Sequence, residues 1–313
     1  MQHKISYIGK AEYCYSNSAA MLLSSIGENI TPEQIEVSAG IGLGAFLGKG
    51  TNRLFFSPLA VAPDVGLTKS LHILGFKFKE KSFNREEPPI DDLRKVLETS
   101  PVLIGPLDMG YLTYQTHSSP PFGADHFVLV YGIDNDKVYL HDSYGYPNAY
   151  LTFEQLKLAW KAENIDYKLG SYHWWHSPKR ISDPSDEEIY QQTLEFYKFI
   201  YQESDKTANN ENRVINKDAI VTVANKLEAG ELKAAEIEML IGFSLPITAK
   251  RANDYANFLR KHNSRLAEIK DKLSELSGHV HVLIMSNNFI DAADKLKKLA
   301  ELEGQFKALV LET

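Results

Sequence analysis

The chain has 313 residues, 43% of them hydrophobic and 24% charged, with a net charge of -7. This describes a soluble globular protein of about two domains with ample apolar material for a core. The negative balance argues against a nucleic-acid backbone as the main partner, one cysteine excludes an internal disulfide framework, and no apolar run nears the ~20 residues that span a bilayer. With no secretory apolar segment after Met1, the expected setting is the cytoplasm, without a membrane partner.

The single cysteine, Cys14, comes early. Turn-like residues precede it (Gly9, Lys10, Ala11, Glu12), and helix formers with apolar positions at Ala19, Met21, Leu22 and Leu23 follow. The thiol is thus expected at a helix N-terminus, where the macrodipole favours thiolate. A lone cysteine is more often a small buried hydrophobe, so a nucleophilic role for Cys14 depends on finding its partners.

Thr31, Pro32 and Gln34 mark a second helix start, and that helix should end near Gly40. The glycine-rich stretch 40–50 matches neither phosphate-binding fingerprint. Gly50 follows Lys49 where a hydroxyl residue belongs, and no strand pattern precedes Gly40. It reads as a loop whose glycines allow close backbone approach. Residues 67–78 read as a helix and a strand broken at Gly75, 91–99 as a helix, and 102–106 as a buried strand. The stretch 108–123, rich in Tyr, His, Ser and Pro, is expected to border a cleft.

Residues 124–133 and 137–143 are β-branched and aromatic runs around Asp134-Asn135-Asp136, a hairpin signal. A hairpin brings its far ends together, so His126 should meet Asp142. With a three-residue loop the two share one face as diagonal neighbours. A two-residue loop would part them unless a bulge intervened. An Asp that orients a His, and a His that takes a thiol proton, are the supporting half of a nucleophilic triad. His141 and Asp125 lie close enough in sequence to be rivals.

The order Cys14, His126, Asp142 resembles the papain-like cysteine enzymes, among them the bacteriocin-processing peptidases. It is more closely similar to the butirosin biosynthesis protein H family. The resemblance is carried by 13–18 heading a helix, by 125–132 leading to His141-Asp142-Ser143-Tyr144, and by 251–259 as part of a helical C-terminal region. It implies an acyltransferase of secondary-metabolite (antibiotic) biosynthesis. Such an enzyme takes an acyl or aminoacyl group from a carrier-protein thioester onto a cysteine and passes it to an amine acceptor, a small molecule. Cys14 would be the nucleophile, His126 the base and Asp142 the orienting carboxylate. Papain-like enzymes usually place a Gln about six residues before the cysteine to help hold the oxyanion; here that position is Ile8. The backbone N–H of Cys14 supplies one donor, and Tyr7, Tyr13 and Asn17 are candidates for the other.

Thr152 and Gln155 form a capping box at the head of a helix with Phe153, Leu156 and Trp160 on one face. His173 and His176, on an expected strand at 171–176, point to opposite faces, so no metal or other cofactor is expected. The fold class expected is α+β: a papain-like N-terminal domain (1–182) with an antiparallel sheet and an N-terminal helix, then an all-helical C-terminal domain (183–313). Helices are expected at 186–202, 217–229, 234–242, 248–276 and 289–304, with a polar loop at 203–213. Residues 279–284 fit a strand or a buried helix. The C-terminal helices have three uses open to them: packing on the first domain, covering its cleft, or forming a homodimer. A peptidase or amidase using the same three residues, and a silent binding module, are the alternative functions.

Overall fold

The computed structural model describes residues 2–9, 12–116, 123–165 and 167–313. Lys10 and Ala11, within the expected turn before Cys14, and residues 117–122 of the expected cleft-bordering loop lie outside these. In chain order the elements are helix α1 (Cys14–Ser24), α2 (Pro32–Ala39), strands β1 (Phe46–Leu47) and β2 (Leu54–Phe55), α3 (Pro63–Ile73), β3 (Phe76–Lys81), α4 (Ile90–Leu97) and β4 (Val102–Asp108). There follow β5 (Asp125–Ile133), β6 (Lys137–Asp142), β7 (Tyr146–Thr152), α5 (Phe153–Lys161) and β8 (Trp174–Arg180). The remainder is helical: α6 (Asp186–Glu211), α7 (Asn216–Glu228), α8 (Ala234–Met239), α9 (Leu245–Leu259), α10 (Ser264–Met285) and α11 (Phe289–Glu312). No helix of the described residues is long and apolar enough to cross a membrane.

The chain forms two compact units. Unit 1 comprises Met1–Ile35 and Pro63–Pro184; unit 2 comprises Glu36–Ala62 and Ser185–Thr313. Residues 36–62, expected from sequence within the first domain, therefore lie with the C-terminal helices. The glycines of this segment explain why. A Cβ at Gly42 would stand 3.1 Å from the Arg251 side chain, and one at Gly44, where φ is +71°, would stand 2.6 Å from Asn216. The Gly44 N–H donates to Glu303 Oε1 at 2.9 Å. The close approach expected of these glycines is to the helices of unit 2.

Unit 1 is α+β. Its six-stranded sheet runs in the order β3-β8-β4-β5-β6-β7, with every neighbouring pair antiparallel. Val102, Ile104, Val128 and Val130 from the central strands pack with Trp160 and Trp174 in one apolar cluster. Helix α5 begins where its sequence signals place it. Thr152 Oγ1 accepts from the Gln155 N–H at 3.3 Å, and Gln155 Oε1 accepts from the Thr152 N–H at 3.0 Å. Thr152→Ala is expected to cost about 1 kcal/mol. Urea denaturation followed by tryptophan fluorescence measures it, since Trp160 lies in α5; no change would show the cap to be idle.

Unit 2 is helical apart from the short β1–β2 pair. The stretch 203–213, expected as a polar loop, is instead the last turns of α6 as far as Glu211. Tyr201, Ser204 and Ala208 keep a buried stripe at helical spacing, and Asp205 pairs with Lys307 at 2.6 Å. The single helix expected over 248–276 is two, broken at 260–263. Asn263 caps the second by accepting from the Leu266 N–H at 3.1 Å. Residues 279–284 are helical, within α10.

Candidate active site

Cys14 is the first residue of α1 and is half-buried. The helix is fixed to the sheet just behind it. Ser18 Oγ donates to the Phe127 carbonyl at 3.1 Å, and Tyr15 meets Phe127 edge-on with ring centroids 5.9 Å apart. Phe127 follows His126, so the contacts that seat the cysteine helix also set the start of β5. No side chain caps α1, and as its first residue Cys14 has no intrahelical acceptor for its own N–H.

The hairpin solves the parity question through a bulge. Asp134 N–H donates to the Lys137 carbonyl at 3.0 Å, and Ile133 pairs with Val138, which makes a tight two-residue turn. Asp134 Oδ1 accepts from the Lys137 N–H at 3.0 Å, the Asx geometry that its sequence indicates. Between Val130 and Gly132 the register shifts by one, so that Leu129 stands opposite His141. That extra residue returns His126 and Asp142 to one face.

There His126 Nε2 meets Asp142 Oδ1 at 2.7 Å, with 2% and 0% of the side chains exposed. Cys14 lies close enough to the same ring to act on it electrostatically. Because Nε2 is committed to Asp142, Nδ1 is the nitrogen left for the thiol. Burial opposes a charge on His126, but the Asp142 carboxylate and its hydrogen bond, with Cys14 adding to both, hold the ring well above the usual histidine pKa. Burial likewise pushes the Asp142 carboxyl up. The His126 charge and hydrogen bond, the Tyr144 N–H and the Gln115 amide outweigh it, and the carboxyl titrates below its usual range.

Asp142 is held by more groups than the sequence indicates. Its Oδ2 accepts from the Tyr114 hydroxyl at 2.9 Å and the Gln115 amide at 3.0 Å; its Oδ1 also accepts from the Tyr144 N–H at 2.8 Å. Burial, then the Asp142 charge, push the Tyr114 phenol far above its usual pKa, which keeps it a donor. Tyr114 and Gln115 belong to the 108–123 stretch expected at a cleft, but nothing in their spacing pointed to Asp142. Tyr7, a candidate oxyanion donor, instead donates to the Asp142 carbonyl at 3.0 Å and accepts from the Gly145 N–H at 3.1 Å.

The rivals within the hairpin face elsewhere. His141 donates from Nε2 to the Ile5 carbonyl at 3.2 Å and accepts at Nδ1 from the Asn148 N–H, with burial lowering its pKa. Asp125 acts on the buried phenol of Tyr167, whose pKa is raised first by burial and then by that carboxylate, with Asp64 and Cys14 adding. His173 meets Ser82 and Glu80, and His176 meets Ser177, so the two rings share no ligand position.

Over 310 residues the chain is 36% identical to the uncharacterized protein YobF of Bacillus subtilis (strain 168), covering 98% of each. The chain belongs to the YobF family. Its residues 210–311 match the YobF C-terminal domain. Residues 13–143 match the N-terminal domain of butirosin biosynthesis protein H, the family whose resemblance was drawn from the motifs around Cys14 and His126. This stretch of the YobF-family chain contains Cys14, His126 and Asp142. Among solved structures, a putative C39-like peptidase from Bacillus anthracis aligns with 57% of this chain and 96% of its own, at 18% identity and a TM-score of 0.38.

Proposed function

We propose that unit 1 is a thiol-dependent acyl-transfer centre. The reading rests on one observation above the rest: a buried imidazole held by Asp142 on Nε2, close enough to a helix-heading cysteine for the two to act on each other. The match to the butirosin biosynthesis protein H N-terminal domain supports it.

In the first step His126 takes the Cys14 proton and the sulfur adds to the carbonyl carbon of an acyl thioester. Collapse breaks the donor's C–S bond, the leaving thiolate takes the proton from imidazolium, and the acyl group stays on Cys14. An amine then attacks that S-acyl carbon, His126 receives the amine's proton, and the cysteine sulfur leaves. Asp142 holds the ring in the tautomer that both steps need. The donor in this reading is a carrier-bound or free thioester, the acceptor a small-molecule amine, and the setting the cytoplasm; no cofactor takes part.

Incubating the protein with simple acyl thioesters and weighing it by mass spectrometry tests the reading. A single acyl adduct on Cys14 is expected, with none in Cys14→Ala. A folded wild-type protein that takes no adduct would overturn the reading in favour of a silent module. Discharge of the adduct to water in preference to added amines would replace the transferase by a hydrolase.

A further inference from the structure

Addition of a thiolate to a carbonyl moves a pair of electrons onto the carbonyl oxygen, and that charge needs two well-placed donors. The Cys14 N–H is one, free of any intrahelical acceptor at the first position of α1. The usual glutamine is absent, with Ile8 in its place. Of the three side chains near enough in sequence, Tyr7 has committed its proton to the Asp142 carbonyl, and Tyr13 is not free of partners. Asn17 differs from both. It is fully buried, and neither its amide nitrogen nor its amide oxygen has a hydrogen-bond partner among the described residues.

A buried amide without a partner is costly and calls for a reason. Its position supplies one. Asn17 lies three residues after Cys14 in α1, so the two share a face with Cβ atoms about 5–6 Å apart. Helical side chains lean toward the N-terminus, which carries the Asn17 amide toward the turn that holds the sulfur. We propose that Asn17 Nδ2–H is the second oxyanion donor, acting with the Cys14 N–H. This rests on the acyl-transfer reading above. While the S–C bond forms and the carbonyl π pair moves to oxygen, both N–H groups donate to that oxygen. When the carbonyl reforms and the donor's C–S bond breaks, Asn17 returns to its unpartnered state, having neither gained nor lost a proton.

The test compares two reactions of the same sulfur in the full-length protein. Acylation by a simple acyl thioester passes through an oxyanion; alkylation by iodoacetamide is displacement at a saturated carbon and does not. Asn17→Ala is expected to lower the acylation rate about 10²–10³-fold and to leave the alkylation rate and its pH profile within about threefold of wild type. Asn17→Asp, nearly identical in shape but with no amide donor, serves if the alanine variant does not fold. Its ratio of acylation to alkylation should fall at least as far. An unchanged ratio in the folded variant overturns the assignment, as does a parallel loss of both reactions, which marks a structural role. If wild-type Cys14 alkylates but accepts no acyl group, the acyl-transfer reading itself fails and takes this assignment with it.

Discussion

Asp142→Ala is expected to destabilise unit 1 by about 3–5 kcal/mol at about pH 5, and to slow acylation of Cys14 by about 10²–10⁴-fold. The substitution strands a buried imidazolium and removes the acceptor shared by Tyr114, Gln115 and the Tyr144 N–H. All three tryptophans, Trp160, Trp174 and Trp175, lie in unit 1, so their fluorescence in urea follows this unfolding. The cost depends on pH in a fixed direction. His126 has a raised folded pKa, so its share of stability is complete below about 6.5 and is lost as pH rises through the folded value. Asp142 has a lowered one, so its share is complete above about 4 and is lost as pH falls through the folded value. The difference between wild type and variant should therefore be widest between these limits and shrink on both sides. A loss under about 1 kcal/mol, or one independent of pH, would mean that the pair is not charged in the folded protein.

Glu303→Ala should damage unit 2 on a similar scale, about 3–5 kcal/mol. Glu303, on α11, accepts from the Gly44 N–H at 2.9 Å and the Tyr201 hydroxyl at 2.7 Å, and faces the Lys270 ammonium at 3.6 Å. Only 2% of Lys270 is exposed, and its nitrogen lies 3.9 Å from the Phe306 ring centroid. Burial lowers the Lys270 pKa even with Glu303 beside it, so the unfolded chain holds that proton more tightly and stability rises toward alkaline pH. Removing the carboxylate leaves the ammonium and two donors without their acceptor. Adding Lys270→Met to the variant should recover much of the loss, because an apolar side chain of similar length carries no desolvation cost. Helical circular dichroism in urea reads both variants. A double variant no more stable than Glu303→Ala would show the cost to lie in the Gly44 and Tyr201 hydrogen bonds instead.

What the sequence revealed follows the range of each interaction. Capping boxes act across three residues, so Thr31 with Gln34 and Thr152 with Gln155 marked their helices correctly. The His126–Asp142 pairing was also legible, because a hairpin turns a sequence interval into a distance and strand parity then demands an odd loop or a bulge; the bulge is what forms. Groups placed by distant parts of the chain left no such trace. Glu203 to Glu211 looked like loop because its polar residues dominate locally, whereas Asp205 is answered by Lys307 about a hundred positions on. Tyr114 and Gln115 reach Asp142 from a stretch with no regular period, and the contacts of Gly42 and Gly44 depend on Arg251, Asn216 and Glu303. Asn17 was visible only as a nearby polar residue; its importance comes from having no partner, which sequence does not display.

The detour of residues 36–62 into unit 2 sets an order on synthesis. Unit 1 has all its residues once Pro184 is made, while 36–62, made far earlier, still lacks its companions. Leu54 and Phe56, which join the apolar cluster of unit 2, must wait exposed until the later helices leave the ribosome, a surface that invites holding by a chaperone. The same connectivity means that no single cut separates the two units. A fragment ending at Pro184 carries a guest segment stripped of its partners, and a fragment starting at Ser185 lacks the carbonyl of Ala45 that receives the Asn216 N–H at 2.6 Å.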